Sequence, residues 1–296
     1  MKASPITDPI LENITRLGLE RKALELDVCG YTVIEDAIAP DVTSRGLEAT
    51  LRTFHERIGN RPDVETGENF EGYWVSRFML FKDPAFEQIV MAEKVLALID
   101  YLVGDDCVLS TFTGHMRGKG AGKTLPTGYL PLHHDDVSPQ PQATFYNNAS
   151  VNICLTDLTE ESGCLAFVPG SHKRLRQPTD AERVLDGEND NPEAVPLVAP
   201  AGSAIIWPSH TWHGSWVSNS PGLRVTIAEL FARPHIHIYE MFRESVSDAV
   251  LDRNTKRFGT LMGLDVNDGW NDNQDDWYKT WRDRDRSRYR PPIGSD

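Results

Sequence analysis

The stretch Leu130–Asp136 reads LPLHHDD, and much further along the chain Trp212–Ser215 reads WHGS. Two imidazoles and one carboxylate are what a six-coordinate Fe(II) needs on one face when the opposite face stays open for substrate and O₂. Residues two apart in an extended segment point the same way, so His133 and Asp135 can supply two ligands from one strand. A distant histidine, His213, would complete the set. These two stretches therefore predict a metal centre.

The spacing alone leaves two questions open. His134 and Asp136 form an equally good His-x-Asp pair on the opposite face of the same strand, and a shift of one residue exchanges the two pairs. The metal is also open, because two histidines and a carboxylate suit Zn²⁺ as well as Fe(II).

An arginine begins the apolar run Arg224–Phe231, which reads RVTIAELF. In a strand, Arg224 shares one face with Thr226 and Ala228. An arginine that faces a barrel interior must meet an anion, because its guanidinium stays charged and unpaired burial is costly. A dicarboxylate cosubstrate would supply that anion with bidentate geometry, and a structural salt bridge is the alternative. Zinc hydrolysis has no need of such an arginine, which favours Fe(II).

Composition narrows the function further. The 296 residues are 40% hydrophobic and 25% charged, as in an ordinary globular protein with a sizeable core. The formal charge of −14 argues against nucleic acid or an anionic membrane as partner, and mildly disfavours a highly anionic thioester substrate. No apolar run approaches the ~18 residues of a membrane span, and Met1–Pro5 begins no signal peptide. We expect a cytoplasmic protein.

Hydrophobic periodicity changes along the chain. A period near 3.6 predicts helices over residues 8–27, 40–58 and 84–103, with a short strand at 31–34. From Cys107 the period is two, and short apolar strands separated by Gly, Pro and Asn turns are predicted over residues 108–112, 145–155, 164–168, 204–207 and 224–231. The pattern predicts an α+β fold, a double-stranded β-helix (jelly-roll, cupin-like) core with N-terminal helices against it.

No linker or internal repeat divides the chain, so we expect one domain over residues 1–296. Its parts would be a helical N-terminal part to about residue 105, a jelly-roll core over about 106–235, and a helical or irregular C-terminal part over 236–296. The acidic stretch 177–196 is expected to be a solvated surface loop, with an active-site lid as the alternative. Trp270, Trp277 and Trp281 suggest that the tail packs somewhere, and a second subunit in a homodimer is one candidate.

The four cysteines are scattered, and Cys154 and Cys164 lie in apolar runs, where buried free thiols are expected. Trp207, Trp212 and Trp216 bracket the distal histidine. Aromatic residues there most often pack the barrel, but one of them could also form a wall of an apolar substrate pocket.

The chain resembles the phytanoyl-CoA dioxygenase-like (PhyH) family of Fe(II)/2-oxoglutarate oxygenases. The likeness covers most of the chain. Its most specific part is Gly163–His172, which matches G-x-L-x-x-V-P-G-S-H, and the other parts are GYTVIED at 30–36, FKDPAF at 81–86, LHHD at 132–135 and the stretch from His213 to Arg224.

This resemblance implies His133, Asp135 and His213 as iron ligands, since the family places an apolar residue directly before the first histidine and Leu132 stands there. It also implies Arg224 as the group that binds the distal carboxylate of 2-oxoglutarate, with Ser215 helping. Asn152, Thr113 and Thr226 are further candidates for contacts around the cosubstrate.

The expected activity is oxidation, most simply hydroxylation, of an unactivated C–H bond in a small organic molecule such as a secondary metabolite or a lipid-like compound. Fe(II), 2-oxoglutarate and O₂ would be the cofactors, and succinate and CO₂ the by-products. The alternatives are a metal-dependent jelly-roll isomerase or hydrolase that does not use 2-oxoglutarate, and a non-catalytic ligand-binding protein of the same fold.

Overall fold

The computed structural model describes residues 8–70, 72–120, 129–136 and 143–264. Its N-terminal half is mainly helical and also contributes two edge strands. The elements in chain order are α1 Asp8–Arg16, α2 Glu20–Cys29, β1 Thr32–Ile34, α3 Pro40–Ile58, β2 Tyr73–Ser76, α4 Pro84–Val90 and α5 Glu93–Val103.

The second half begins with the strands and ends with short helices. The strands are β3 Val108–Arg117, β4 Leu130–His133, β5 Asn148–Cys154, β6 Leu165–Phe167, β7 Val195–Leu197, β8 Ala204–Pro208, β9 His213–Ser215 and β10 Arg224–Ala232. They are followed by α6 Phe242–Ser245, α7 Asp248–Asp252 and α8 Lys256–Leu261.

The strands form two antiparallel sheets. The larger has the order β1-β8-β5-β10-β3-β2 and the smaller the order β4-β9-β6-β7. Their facing side chains touch, since the rings of Trp207 and Phe167 lie 5.3 Å apart and Arg117 donates a hydrogen bond to Ser215. The α+β jelly-roll prediction is confirmed, and the described strands form two facing sheets rather than a closed barrel.

Strand register decides which side chains of the large sheet face the small one. Arg224, Thr226 and Ala228 of β10 stand directly opposite Arg117, His115 and Thr113 of β3. Directly opposed residues of an antiparallel pair share a face, so polar and charged groups of both strands collect between the sheets.

The other face of the large sheet packs against the helices. Alternate residues of its strands join helix residues in the main hydrophobic core, among them Phe112, Met116, Val151, Ile153, Val225, Ile227, Phe86, Ile89, Leu98 and Ile99. The helices therefore support the back of the sheet whose front faces the small sheet.

Two predicted helices are each divided in the structure. The helix expected over 8–27 is interrupted between α1 and α2, where Gly18 has φ of 65°. That backbone conformation is readily adopted by glycine and stops a right-handed helix. The helix expected over 84–103 is interrupted at Met91 and Ala92. The helix over 40–58 has the predicted bounds.

The stretch 177–196 packs on the outer face of the small sheet. Leu185 is fully buried there with Leu132, Ala166 and Trp212, and Arg183 O accepts a hydrogen bond from Leu132 N at 3.0 Å. This packing needs a bare backbone in β9, because a Cβ on Gly214 would lie 2.5 Å from Leu130 O and 3.0 Å from Leu185 Cδ1. The segment is therefore part of the fold behind β9, and not only solvated surface.

The four cysteines are free, and Cys107, Cys154 and Cys164 are buried. This confirms the expectation for Cys154 and Cys164. Burial raises the pKa of Cys154 to about 12, which makes it a poor nucleophile. The three tryptophans behind the homodimer prediction lie outside the described residues. Among the helices that are described, none is long and apolar enough to cross a membrane.

One carboxyl group lies on the helical face of the large sheet. Glu229 stands opposite Phe112 and Val151, is 2% exposed, and neither of its oxygens has a hydrogen-bond partner among the described residues. Burial raises the pKa of Glu229 from 4.5 to about 8. Between pH 4.5 and about 8, Glu229 therefore keeps its proton in the folded protein and releases it in the unfolded chain.

We expect Glu229→Gln to remove a pH-dependent loss of stability. Because the folded-state pKa of Glu229 is raised, its contribution is most favourable below pH 4.5 and is lost as the pH rises toward 8. The free energy of unfolding of the variant, measured in urea, should gain on that of the wild type between pH 5 and 8, by up to about 1.4 kcal/mol per pH unit. Glu188→Gln, on an exposed turn, controls for loss of a negative charge. An equal difference at both pH values would contradict this account.

Candidate active site

The structure brings His133, Asp135 and His213 together. One ligand atom of each lies within 4.8 Å of the other two. Asp135 Oδ1 is 3.8 Å from His133 Nε2 and 3.7 Å from His213 Nε2. His133 and His213 are directly paired across β4 and β9, so both rings emerge on the same face of the small sheet. The three groups could hold one metal ion from one side.

The ring nitrogens that do not face Asp135 are anchored by backbone carbonyls. His133 Nδ1 donates to Pro131 O at 2.8 Å, and His213 Nδ1 donates to Thr211 O at 3.0 Å. A carbonyl only accepts, so the proton of each neutral ring is on Nδ1 and the lone pair of Nε2 is free for a metal. Burial lowers the pKa of His213 to about 4, which keeps that ring neutral near pH 7.

Asp135 lies in a bend just after β4, and not in the strand as the spacing argument assumed. Two serines hold it: Ser209 O accepts from Asp135 N at 2.9 Å, and Ser150 donates to Asp135 Oδ2 at 2.8 Å. Burial acts to raise the pKa of Asp135, but His213, His133 and the Ser150 hydroxyl outweigh it and the pKa is lowered. One carboxylate oxygen is thus held, ionised, toward the imidazoles.

The second His-x-Asp pair points elsewhere. Asp136 Oδ2 is 2.8 Å from His210 Nε2, and both side chains are almost fully buried. His134 Nδ1 is 3.1 Å from the Gln177 amide nitrogen. Asp136 thus contacts the segment before β9, and His134 contacts the start of the 177–196 stretch. These contacts do not bring His134 or Asp136 to the cluster around His213.

Arg224 is buried at the first position of β10 and faces the small sheet. It donates to Gly163 O, and no carboxylate of the described residues lies within ion-pair distance. Burial lowers the pKa of Arg224, as expected for a guanidinium without a countercharge. The structural salt bridge that was the alternative for Arg224 is thus absent from the described part of the chain.

Sequence reasoning missed a second arginine. Arg117 ends β3 directly opposite Arg224, is 2% exposed, and donates to the Ser215 hydroxyl and, at 3.2 Å, to Trp216 O. Burial, and then Arg224, lower its pKa. The predicted strand stopped at Phe112, although the alternation Thr113, His115, Arg117 continues it.

The other predicted cosubstrate contacts line the same space. Thr226 Oγ1 and Asn152 Oδ1 are buried and lack a hydrogen-bond partner among the described residues. Both side chains lie on the face of the large sheet that carries Arg224. Ser215 is two residues beyond His213 in β9 and accepts the hydrogen bond from Arg117. A polar ligand here would satisfy atoms that the protein leaves unpaired.

His115, for which no role was predicted, is part of a hydrogen-bonded chain in this space. Tyr73 Oη is 2.5 Å from His115 Nδ1, and Thr113 Oγ1 is 2.8 Å from His115 Nε2. Because Thr113 donates its proton to Ala228 O at 3.2 Å, His115 Nε2–H donates to Thr113 and Tyr73 donates to Nδ1. Burial, followed by the two arginines, lowers the pKa of His115 to about 4, so the ring is neutral.

The three tryptophans have different places. The Trp207 ring lies 4.9 Å from the His213 ring and next to Phe167, so it walls the site. Trp212 is buried on the outer face of the small sheet. Trp216 donates its indole N–H to Asp190 Oδ2 at 2.7 Å.

The observed donor set fits the cofactors that the resemblance implied. Three ligand atoms converge from one side with both imidazole tautomers fixed. Beyond them lie a guanidinium without a countercharge and the unpaired Thr226 and Asn152 oxygens. Iron fits the first group, and a dicarboxylate with a metal-chelating end fits the whole arrangement.

Comparison with known proteins gives the same family. A family model described as phytanoyl-CoA dioxygenase (PhyH) matches residues 26–226, more than half of the chain. An uncharacterized protein of Mycobacterium tuberculosis is 23% identical over 86% of this chain and 89% of its own length. Peroxisomal phytanoyl-CoA dioxygenase of Rattus norvegicus is 22% identical over 81% of this chain and 77% of its own length.

Solved structures share the fold. HygX from Streptomyces hygroscopicus, crystallised with nickel and 2-oxoglutarate, superposes with a TM-score of 0.58 at 16% identity. The match covers 75% of this chain and 89% of HygX. The family match agrees with the His133, Asp135 and His213 side chains and the guanidinium beyond them. The chain belongs to the phytanoyl-CoA dioxygenase family, as a dioxygenase that uses Fe(II), 2-oxoglutarate and O₂.

Proposed function

We propose that this dioxygenase hydroxylates an unactivated C–H bond of a small organic molecule, a secondary metabolite or a lipid-like compound. The observation that carries the proposal is the facial His133, Asp135 and His213 cluster with the uncompensated Arg224 beyond it. Bound iron with 2-oxoglutarate and O₂ supplies the oxidising power, and the cosubstrate leaves as succinate and CO₂.

In this proposal His133, Asp135 and His213 are the iron ligands. The Nδ1–H bonds to Pro131 O and Thr211 O orient both imidazoles. The Ser150 hydroxyl holds one oxygen of Asp135, so the other is directed at the metal. Because the three side chains converge from one side, a bound iron would be left accessible from the other side to the cosubstrate and to O₂.

Arg224 is proposed to bind the distal carboxylate of 2-oxoglutarate, with Ser215 beside it. Thr226 and Asn152 have unpaired buried oxygens on the same sheet face and are proposed to contact the cosubstrate or ordered water around it. These contacts would hold the cosubstrate in one position, with its keto acid end toward His133, Asp135 and His213.

A small-molecule substrate is supported by the walls of the site. The Trp207 and Phe167 rings flank His213 and offer an apolar surface close to the metal. HygX, which has the same fold, has been crystallised with the small molecule hygromycin B. The formal charge of −14 remains an argument against a highly anionic thioester. A hydrolase or isomerase that does not use 2-oxoglutarate has no need for a buried guanidinium beyond the metal.

Turnover should be measured as succinate release from a panel of small molecules in the presence of Fe(II), ascorbate and O₂. We expect at least one compound to raise succinate release well above the uncoupled rate and to gain one oxygen atom by mass spectrometry. A product that forms without 2-oxoglutarate would contradict the proposal.

The ligand register is tested by two neighbouring aspartates. Asp135→Asn should abolish Fe(II) binding and turnover, because it removes the only charged ligand. Asp136→Asn should retain iron, because Asp136 contacts His210 away from the cluster. Iron content after anaerobic loading and gel filtration measures both. Loss of iron in Asp136→Asn together with retention in Asp135→Asn would place the register one residue off.

Arg224→Met should weaken 2-oxoglutarate binding while iron binding is retained. Loss of a charge-assisted hydrogen bond costs about 1.5–3 kcal/mol, or roughly ten- to a hundred-fold in affinity. Titration of the visible charge-transfer band of the anaerobic Fe(II) protein with 2-oxoglutarate gives the dissociation constant. An equal loss of iron and cosubstrate affinity would mean that Arg224 supports the fold instead.

A further inference from the structure

The cosubstrate end of the site holds two buried positive charges. Arg117 and Arg224 are directly paired across β3 and β10, with 2% and 6% of their surfaces exposed. Like charges directly opposite each other in a sheet are destabilising, and burial of each charge adds its own cost. Among the described residues, neither has a carboxylate within ion-pair distance. Their hydrogen-bond acceptors are two carbonyls and one hydroxyl, which do not neutralise the charge.

Arg117 also points at the place assigned to the cosubstrate. It donates to the Ser215 hydroxyl, two residues beyond His213 on the same strand. Its Nε is buried and lacks a hydrogen-bond partner among the described residues. Arg117 is therefore next to the hydroxyl that was expected to help Arg224, and it keeps a donor unused.

We infer that Arg117 and Arg224 together bind the distal carboxylate of 2-oxoglutarate, with the Ser215 hydroxyl, which accepts from Arg117, beside it. This inference rests on the proposed placement of the cosubstrate and adds a residue to it. A carboxylate has two oxygens, so it can accept from two guanidiniums at once. Its negative charge offsets the repulsion that the pair carries without ligand.

Two other roles for Arg117 make different predictions. If Arg117 only supported the fold through Trp216 O, its removal would weaken all ligands equally. If it bound an anionic substrate, its removal would leave 2-oxoglutarate affinity unchanged. Joint binding of the distal carboxylate by Arg117 and Arg224 is called the clamp below. Of the three roles, only the clamp predicts that the preference for a dicarboxylate over a monocarboxylate keto acid depends on Arg117.

The test compares 2-oxoglutarate with 2-oxopentanoate, which has the same five-carbon chain but no distal carboxylate. Dissociation constants for both are measured by calorimetry on anaerobic, Fe(II)-loaded protein. We expect Arg117→Met to reduce the preference for 2-oxoglutarate by roughly ten- to a hundred-fold, with unchanged affinity for 2-oxopentanoate. Arg117→Lys, which keeps the charge but not the fork, should show a smaller reduction.

The double variant and a control complete the design. Arg117→Met with Arg224→Met should bind the two keto acids about equally. Arg257→Lys is the matched control, because Arg257 is a partly buried arginine that is paired with Asp100. The keto acid preference of this variant should equal that of the wild type. An unchanged preference in both Arg117 variants would overturn the clamp, as would equal loss of affinity for both keto acids.

The outcome can be separated from that of the proposed function. If the visible band forms in Arg117→Met with unchanged 2-oxoglutarate affinity, the clamp is wrong and the proposed function stands. If no band forms in the wild type but calorimetry shows the Arg117-dependent preference, the clamp stands and the proposed keto acid chelation is wrong.

Discussion

The direct pairing of His133 with His213 across β4 and β9 fixes the geometry on which the site depends. Two neighbouring strands set the spacing of the two imidazoles, and backbone carbonyls set their rotation and tautomer. The third group, Asp135, comes from a bend and needs outside support, which Ser150 of the facing sheet and Ser209 provide. The three metal-ligand side chains therefore depend on both sheets. The helices behind the large sheet support them indirectly.

Each strand of the large sheet separates two environments. On the side of the helices, β10 contributes Val225 and Ile227 to the core, and its Glu229 carboxyl, also on that side, has a raised pKa. On the other side the same strand presents Arg224 and Thr226 to the site. A shift of one residue in the pairing of β10 would place a guanidinium in the helical core, so the register of this strand is under strong constraint.

Local signals predicted much of this molecule. The helix over 40–58 carries its own boundaries, with Pro40 at its first turn and a left-handed Gly59 after its end. Spacing together with the resemblance predicted His133, Asp135, His213 and Arg224 as site residues, and the structure brings the first three together. The sequence did not predict the breaks after α1 and α4, nor the edge strand β2, whose pairing is made with a distant part of the chain. Arg117 and His115 were missed for a similar reason, because the glycines after Arg117 look like a loop, and pairing with β10 on one side and β2 on the other keeps β3 extended that far.

The contact between Leu185 and Gly214 has a consequence for how rigid the metal site is. Gly214 lies between His213 and Ser215, and Leu185 occupies the space that a side chain at Gly214 would need. The rigidity of β9 therefore comes partly from the 177–196 stretch, which packs on the outer face of the small sheet. Trimming of the Leu185 side chain would leave a void directly behind the distal ligand, and β9 could relax into it. Any redesign of the 177–196 stretch has to keep an apolar side chain the size of Leu185 against Gly214.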